Sequence, residues 1–278
     1  MPDRSLSIDG VQVPRFLYGT AWKEDETQRL TELALREGFR GIDTANQRKH
    51  YHEAAVGQGI AATGISRDEL FLQTKFTFRA GQDHRLPYDP DAPVSAQVEQ
   101  SFASSLQHLG TDTIDSYVLH GPSTRGALTA NDWDAWRAME AIHASGQARF
   151  LGVSNITLDQ LEELCQGARV RPRFVQCRCY AARGWDRRVR EFCTANEITY
   201  QGFSLLTGNR DVLVRPELAR IAARHGRTPA EIIFRFALEV GMIVLTGTTD
   251  AEHMRADLDA FNFRLPAEEI ALIDRVAG

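Results

Sequence analysis

The sequence predicts a single (β/α)8 barrel, with an N-terminal β-hairpin and an extra C-terminal helix, as one domain over residues 1–278. Three observations predict it. Eight short, nearly continuous apolar runs with β-branched or aromatic content read as strands buried on both faces. Amphipathic stretches separate them, and strands alternating with helices imply a parallel sheet with right-handed crossovers. At 278 residues, closing that sheet into a barrel is the economical arrangement. A doubly wound open sheet is the competing reading, weakened because no strand is followed by a GxGxxG that opens a helix.

The elements follow in order. Ser5–Pro14 reads as a hairpin with Asp9-Gly10 at its turn, placed to cap the barrel floor. The strand readings are Phe16–Ala21, Gly41–Ala45, Leu70–Lys75, Ile114–His120, Phe150–Asn155, Phe174–Tyr180, Thr199–Leu206 and Met242–Thr248. Helices are expected over Asp25–Glu37, where Leu30, Leu33 and Ala34 repeat at three or four residues, and over Val94–Leu109, Trp133–Ser145 and Leu158–Gln166. Arg79–Pro93, with its prolines, and Gly121–Asn131 read as long loops following strands. Pro266–Val276 reads as the last helix.

Composition narrows the function. The chain is 43% hydrophobic and 25% charged, as ordinary globular proteins are. A net charge of −5 gives no basic footprint for a nucleic-acid partner. The N-terminus, MPDRSLSIDGVQVP, has no apolar core of signal-peptide length and no later segment is long enough to span a membrane, so a cytoplasmic location is expected. Cys165, Cys177, Cys179 and Cys193 show neither CxxC nor zinc spacing and read as reduced structural thiols. No strand carries an HxH pair, which argues against a metal-dependent hydrolase on the same fold, and no metal site is expected.

Chemistry in such barrels sits at the C-terminal ends of the strands. There the second strand ends in Asp43, the third in Lys75 and the fourth in His120. The fifth ends in Ser154-Asn155, the sixth carries Gln176 within an apolar run, and Tyr51 follows Asp43 in a basic loop. Any one of these has an ordinary reading as a solvated or hydrogen-bonded strand end. In a closed barrel they converge, and a buried lysine there needs a carboxylate partner.

Taken with their flanking residues, these positions resemble the aldo-keto reductase family. The matches run from Gly19-Thr20-Ala21-Trp22 to the last helix, through GFRGIDTA at 38–45, HEAAVG at 52–57, FLQTK at 71–75, DSYVLHGP at 115–122 and GVSN at 152–155. The resemblance implies a carbonyl–alcohol oxidoreductase with a catalytic tetrad of Asp43, Tyr51, Lys75 and His120. Hydride reduction leaves negative charge on oxygen, so a proton donor is required. A phenol has an ordinary pKa of about 10, which Lys75 is expected to lower while Asp43 holds the lysine. His120 would orient the substrate oxygen. One departure stands out: the family's tyrosine usually comes five residues after the aspartate, where this chain has Arg48. Counting back from HEAAVG puts His50 in that slot instead, so the loop is about two residues longer. Tyr51, the one phenol in the loop, is assigned the acid role, with His50 or a water as the alternative donor.

The same carry-over implies that Ser154, Asn155 and Gln176 hold the nicotinamide carboxamide, with Phe203 stacked beneath the ring. Ser204, Leu206 and Gly208 fall in the pyrophosphate loop. Gly247, Thr248, Thr249, His253 and Asp257 fall in the adenosine-phosphate segment, where a helix N-terminus offers amides. Gly247 replaces a lysine common among NADPH users, and His253 or Arg255 would supply charge; NADPH is the expected cofactor, with NADH as the alternative. Trp22, Phe76, Gly121 and Trp133 are the candidate substrate contacts, whereas Trp136 reads as core. Gly121 stands where the family often has a bulky aromatic and implies an open mouth. A small-molecule carbonyl substrate, of the larger kind an open mouth admits, and a monomer are expected. The competing reading is a cofactor-binding barrel with little turnover, like the potassium-channel β-subunits that resemble this family.

Overall fold

The computed structural model describes residues 4–276. Strands β1 (Ser5–Ile8) and β2 (Val11–Pro14) pair antiparallel as a separate hairpin. Asp9 and Gly10 both adopt positive φ, 49° and 80°, as a two-residue turn of this kind requires. The barrel strands are β3 (Phe16–Gly19), β4 (Gly41–Asp43), β5 (Phe71–Phe76), β6 (Ile114–Leu119), β7 (Ala148–Ser154), β8 (Phe174–Arg178), β9 (Thr199–Phe203) and β10 (Ile243–Thr246). They form one closed parallel sheet in chain order, and β10 pairs with both β3 and β9 to complete it.

Most of the strand readings overrun their elements on the C-terminal side. Ala45, His120, Asn155 and Thr248 leave the ladder there and become the rim of the mouth. The helix expected from Trp133 begins at Ala130 instead. Thr129 and Asp132 form a capping box that satisfies the first amides three residues earlier. Leu158–Gly167 and Pro229–Glu239 start on the same device, at Thr157 and Thr228. The Val94–Leu109 helix runs as read, and Ala267–Asp274 forms the last one.

Period-two alternation builds the barrel interior in tiers. At the floor, Leu17, Phe71, Phe150, Phe174, Ile243 and Leu245 pack with Ile8 and Val13 of the hairpin, which therefore caps the N-terminal end. Phe174 meets Phe71 and Phe150 edge to face at 5.7 and 5.6 Å. Each such buried side chain contributes about 1.5–3 kcal/mol. Two residues above Phe71 and Phe174 lie Gln73 and Gln176, and Lys75 sits two above Gln73. A dry floor thus supports a polar tier and then a charged one.

Candidate active site

The charged tier is a buried ion pair. Lys75 is 0% exposed, and its Nζ donates to Asp43 Oδ1 at 2.7 Å, Asp43 Oδ2 at 2.8 Å and the Thr44 carbonyl at 2.8 Å. Those bonds use all three donors of the ammonium. Burial pushes the Lys75 pKa down and the Asp43 carboxylate opposes it. Asp43 Oδ1 also accepts from Gln73 at 2.6 Å and Gln176 at 3.0 Å. Below it, Gln201 Oε1 accepts from both glutamines at 2.8 and 3.0 Å, and its Nε2 returns a bond to Gln73 at 2.9 Å. The amide nitrogen of Gln176, assigned from sequence to a cofactor, is thus committed to Asp43 and Gln201. Gln73 and Gln201 escaped the sequence reading. The inward alternation Phe71, Gln73, Lys75 was the available signal.

The long loop after β4 resolves into a turn at 48–50. Neighbouring amides pin it: Gln82 Nε2 donates to the Asn46 carbonyl, Gln47 Nε2 to the Gly81 carbonyl, and the Arg48 amide to Gln82 Oε1. Absorbing the extra residues there returns Tyr51 to the mouth. The Lys75 ammonium lies over its ring at 5.4 Å from the centroid, and the His120 ring meets it edge on at 5.9 Å. His50 stacks instead on Trp22, with ring centroids 3.6 Å apart. The Tyr51 hydroxyl makes no hydrogen bond to any other described residue. Its pKa is pushed well up, by burial first and then by the Asp43 charge. The net shift runs opposite to the expected lowering, because burial and the Asp43 charge outweigh the ammonium, which spends its donors on Asp43 and Thr44 rather than on the phenol.

His120 is held from two sides. Thr77 Oγ1 lies 2.7 Å from Nδ1, and Asn155 Nδ2 donates to the His120 carbonyl at 2.8 Å. Burial, then the charges of Lys75 and His50, lower its pKa to about 3, so the ring is neutral. The neutral ring carries one proton: with it on Nε2, Nδ1 accepts from Thr77, and with it on Nδ1, Thr77 accepts. Asn155 holds a positive φ of 53° and also donates to Ser154 Oγ, which places both beside His120.

A groove of about 620 Å³ opens between β3, β9 and β10, and Phe203, Ser204, Leu206, Gly247, Thr248, His253 and Asp257 line it. Gly208, close against Tyr180, and the exposed Thr249 both lie outside the lining. Lys23 also lines the groove and was missed from sequence; its Nζ donates to the Gly247 carbonyl beside the space a side chain would take there. Two expectations change. The Asp250 side chain accepts from the amides of Glu252 and His253, so that helix N-terminus is already capped. Arg255 pairs with Glu37 at 2.9 Å, which leaves Lys23 and His253 as the basic groups of the groove. Burial raises Asp257 to about 7, opposed by a hydrogen bond from Thr246 at 2.7 Å.

Of the expected substrate contacts, Trp22 is 68% exposed at the rim, and Gly121 lies beside Asn155. Phe76 is fully buried against Phe78 and Tyr88, and Trp133 packs over Gly167 between helices. Neither of these reaches the mouth. Trp136 is core, as read.

A closed parallel barrel with aspartate, lysine, tyrosine and histidine gathered at its C-terminal mouth, beside an apolar groove with a basic edge, has the layout of a barrel oxidoreductase. A sequence profile of the aldo/keto reductase family matches residues 16–277. An aldo-keto reductase of Mycobacterium tuberculosis is 32% identical over 247 residues, covering 89% of this chain and 81% of that protein. A glyoxal reductase of Bacillus subtilis is 29% identical over 268 residues, covering 96% and 90%. The crystal structure of an aldo/keto reductase from Brucella melitensis superposes with a TM-score of 0.83 at 28% identity, covering 98% of each chain. A Bombyx mori aldo-keto reductase in complex with NADP superposes at 0.81 with 25% identity, covering 98% and 92%. The chain belongs to the aldo/keto reductase family and is an NAD(P)-dependent oxidoreductase that interconverts carbonyl and alcohol groups.

Proposed function

We propose that this one barrel domain reduces an aldehyde or ketone with Tyr51 as the general acid, using NADPH, with NADH as the weaker alternative. The juxtaposition of Tyr51 with Lys75 and His120 carries the reading. The groove fits a dinucleotide by its donor set: Phe203 and Leu206 supply apolar surface, Ser204 and Thr248 hydroxyls, and Lys23 an ammonium for phosphate. Ser154 and Asn155 stand at the mouth for the nicotinamide end. NADPH, when bound, supplies the hydride that the carbonyl carbon receives.

The chain's own groups do the rest. In the tautomer with its proton on Nε2, neutral His120 offers Nε2–H to the carbonyl oxygen and polarises it without adding a charge. Tyr51 stays protonated at neutral pH, because its phenolate is disfavoured, and delivers its proton as oxygen gains charge. The Lys75 ammonium, fixed over the ring, stabilises the negative charge that the transfer leaves on the phenol. Asp43 and its glutamines hold that ammonium still.

Tyr51→Phe tests this directly. NADPH consumption with an aldehyde is expected to fall at least 100-fold while NADPH binding persists. Turnover that survives the substitution would move the acid role to His50 or a water. We also read the chain as a cytoplasmic monomer; its four buried, unpaired thiols suit a reducing compartment. Among the described residues no helix is long and apolar enough to cross a membrane.

A further inference from the structure

A second cavity, of about 560 Å³, opens on the other side of Trp22, and Tyr51 lines it. Trp22 borders both this cavity and the groove, so the two adjoin at the rim. Its wall carries three cations, Arg48, Lys49 and Arg85, and three carboxylates, Glu24, Asp25 and Glu53. Arg48 and Lys49 come from the turn that absorbs the loop's extra residues, and Arg85 comes from the loop after β5.

Arg48 is the informative group. It is half-buried, three residues before Tyr51, and its guanidinium has no acceptor among the described residues. Other half-buried or buried arginines are paired: Arg67 with Asp115, Arg227 with Asp259 and Glu231, and Arg235 with Glu239. Arg85 is neutralised by Asp83 and donates to the Arg48 carbonyl at 2.5 Å, which fixes the backbone that presents Arg48. His50, stacked on Trp22, contributes a buried Nδ1 without a partner. The carboxylates on the wall do not answer Arg48. Glu53 is held by Thr74 and by His108 at 3.0 Å, and Glu24 and Asp25 are exposed.

We propose that this cavity receives a carbonyl substrate bearing a carboxylate, with Arg48 as the group that binds it. A guanidinium free of protein acceptors matches a carboxylate's two oxygens and discriminates against neutral carbonyls of equal size. The volume admits an aromatic carbonyl substrate and bodies larger than that, well beyond a two-carbon aldehyde. The inference rests on the reductase reading for the reaction but not for the anion site.

The test compares 4-carboxybenzaldehyde with 4-methylbenzaldehyde, which differ in charge and little in shape. In the wild type, kcat/KM is expected to favour the carboxylate by at least 10-fold at low ionic strength and less at high salt. Arg48→Gln collapses that ratio mainly through KM, and Arg48→Lys restores part of it. A wild-type ratio near one, or a ratio unchanged in Arg48→Gln, overturns the proposal. Calorimetric titration of the NADP-loaded protein with benzoate separates the two readings. Benzoate binding lost in Arg48→Gln, without turnover of either aldehyde, would sink the reductase reading and leave the anion site standing. Turnover without benzoate binding would sink the anion site alone.

Discussion

Replacing Lys75 with methionine keeps the length of the side chain and removes its charge. Lys75 and Asp43 are both buried, so the substitution strands a carboxylate in the barrel centre. Breaking a buried pair from one side costs about 3–5 kcal/mol. The hydrogen bonds place this case near the lower end. Asp43 Oδ1 keeps Gln73 at 2.6 Å and Gln176 at 3.0 Å, whereas Oδ2 loses the donation from Lys75 at 2.8 Å. We expect a loss of about 3 kcal/mol, which at a urea m-value of about 3 kcal/mol/M moves the unfolding midpoint down by about 1 M. The double variant Lys75→Met, Asp43→Leu leaves no unpaired charge, and the glutamines still bond one another. It should be more stable than Lys75→Met alone by about 1.5 kcal/mol or more. A single-variant loss below about 1 kcal/mol, or a double variant no better than the single, would refute the view that the ammonium is held in place by this carboxylate.

Asp257→Asn should stabilise the protein at pH 8 by about 1–3 kcal/mol and leave it unchanged near pH 4. The folded carboxyl titrates near 7, above its unfolded value, so its contribution is fully present below the unfolded pKa and lost as pH rises through 7; urea midpoints at the two pH values check it. His120 has the opposite sign. Its pKa near 3 lies below the unfolded value of about 6.5, so its contribution is present above 6.5 and declines as pH falls toward 3. The fall in urea midpoint between pH 7 and 4 should therefore be smaller in His120→Asn. With His120 neutral and Tyr51 protonated, kcat/KM for the aldehyde at saturating NADPH should be flat from pH 5 to 9, and an inflection within that range would refute this protonation scheme. Gly57→Ala places a Cβ 2.0 Å from the His108 carbonyl oxygen and should cost about 2 kcal/mol or more by thermal denaturation, because backbone must move to relieve it.

Much of the fold was legible because its signals are local. A strand buried on both faces must be apolar along its length, and the eight runs from Phe16 to Thr246 announce themselves without reference to one another. The Asp9-Gly10 turn is equally local. Asp43, Lys75 and His120 were legible for the same reason, as polar residues that end apolar strands. Asp250 could have been read as a cap, since that rule is also local. The ends of the strands were not legible, because apolar character continues where the ladder stops.

What the tertiary structure alone decided depends on residues far apart in the chain. Gln73 and Gln201 are 128 positions apart, and only barrel closure turns two strand amides into a support for Asp43. Whether Lys75 acts on a phenol through its donors or through its charge depended on where Asp43 and Thr44 lie, and they take all three donors. Composition and period set which side chains face inward; closure set which of them meet. A hydrogen bond or an ion pair is a condition on distance in space, and spacing along the chain constrains that distance only within one element.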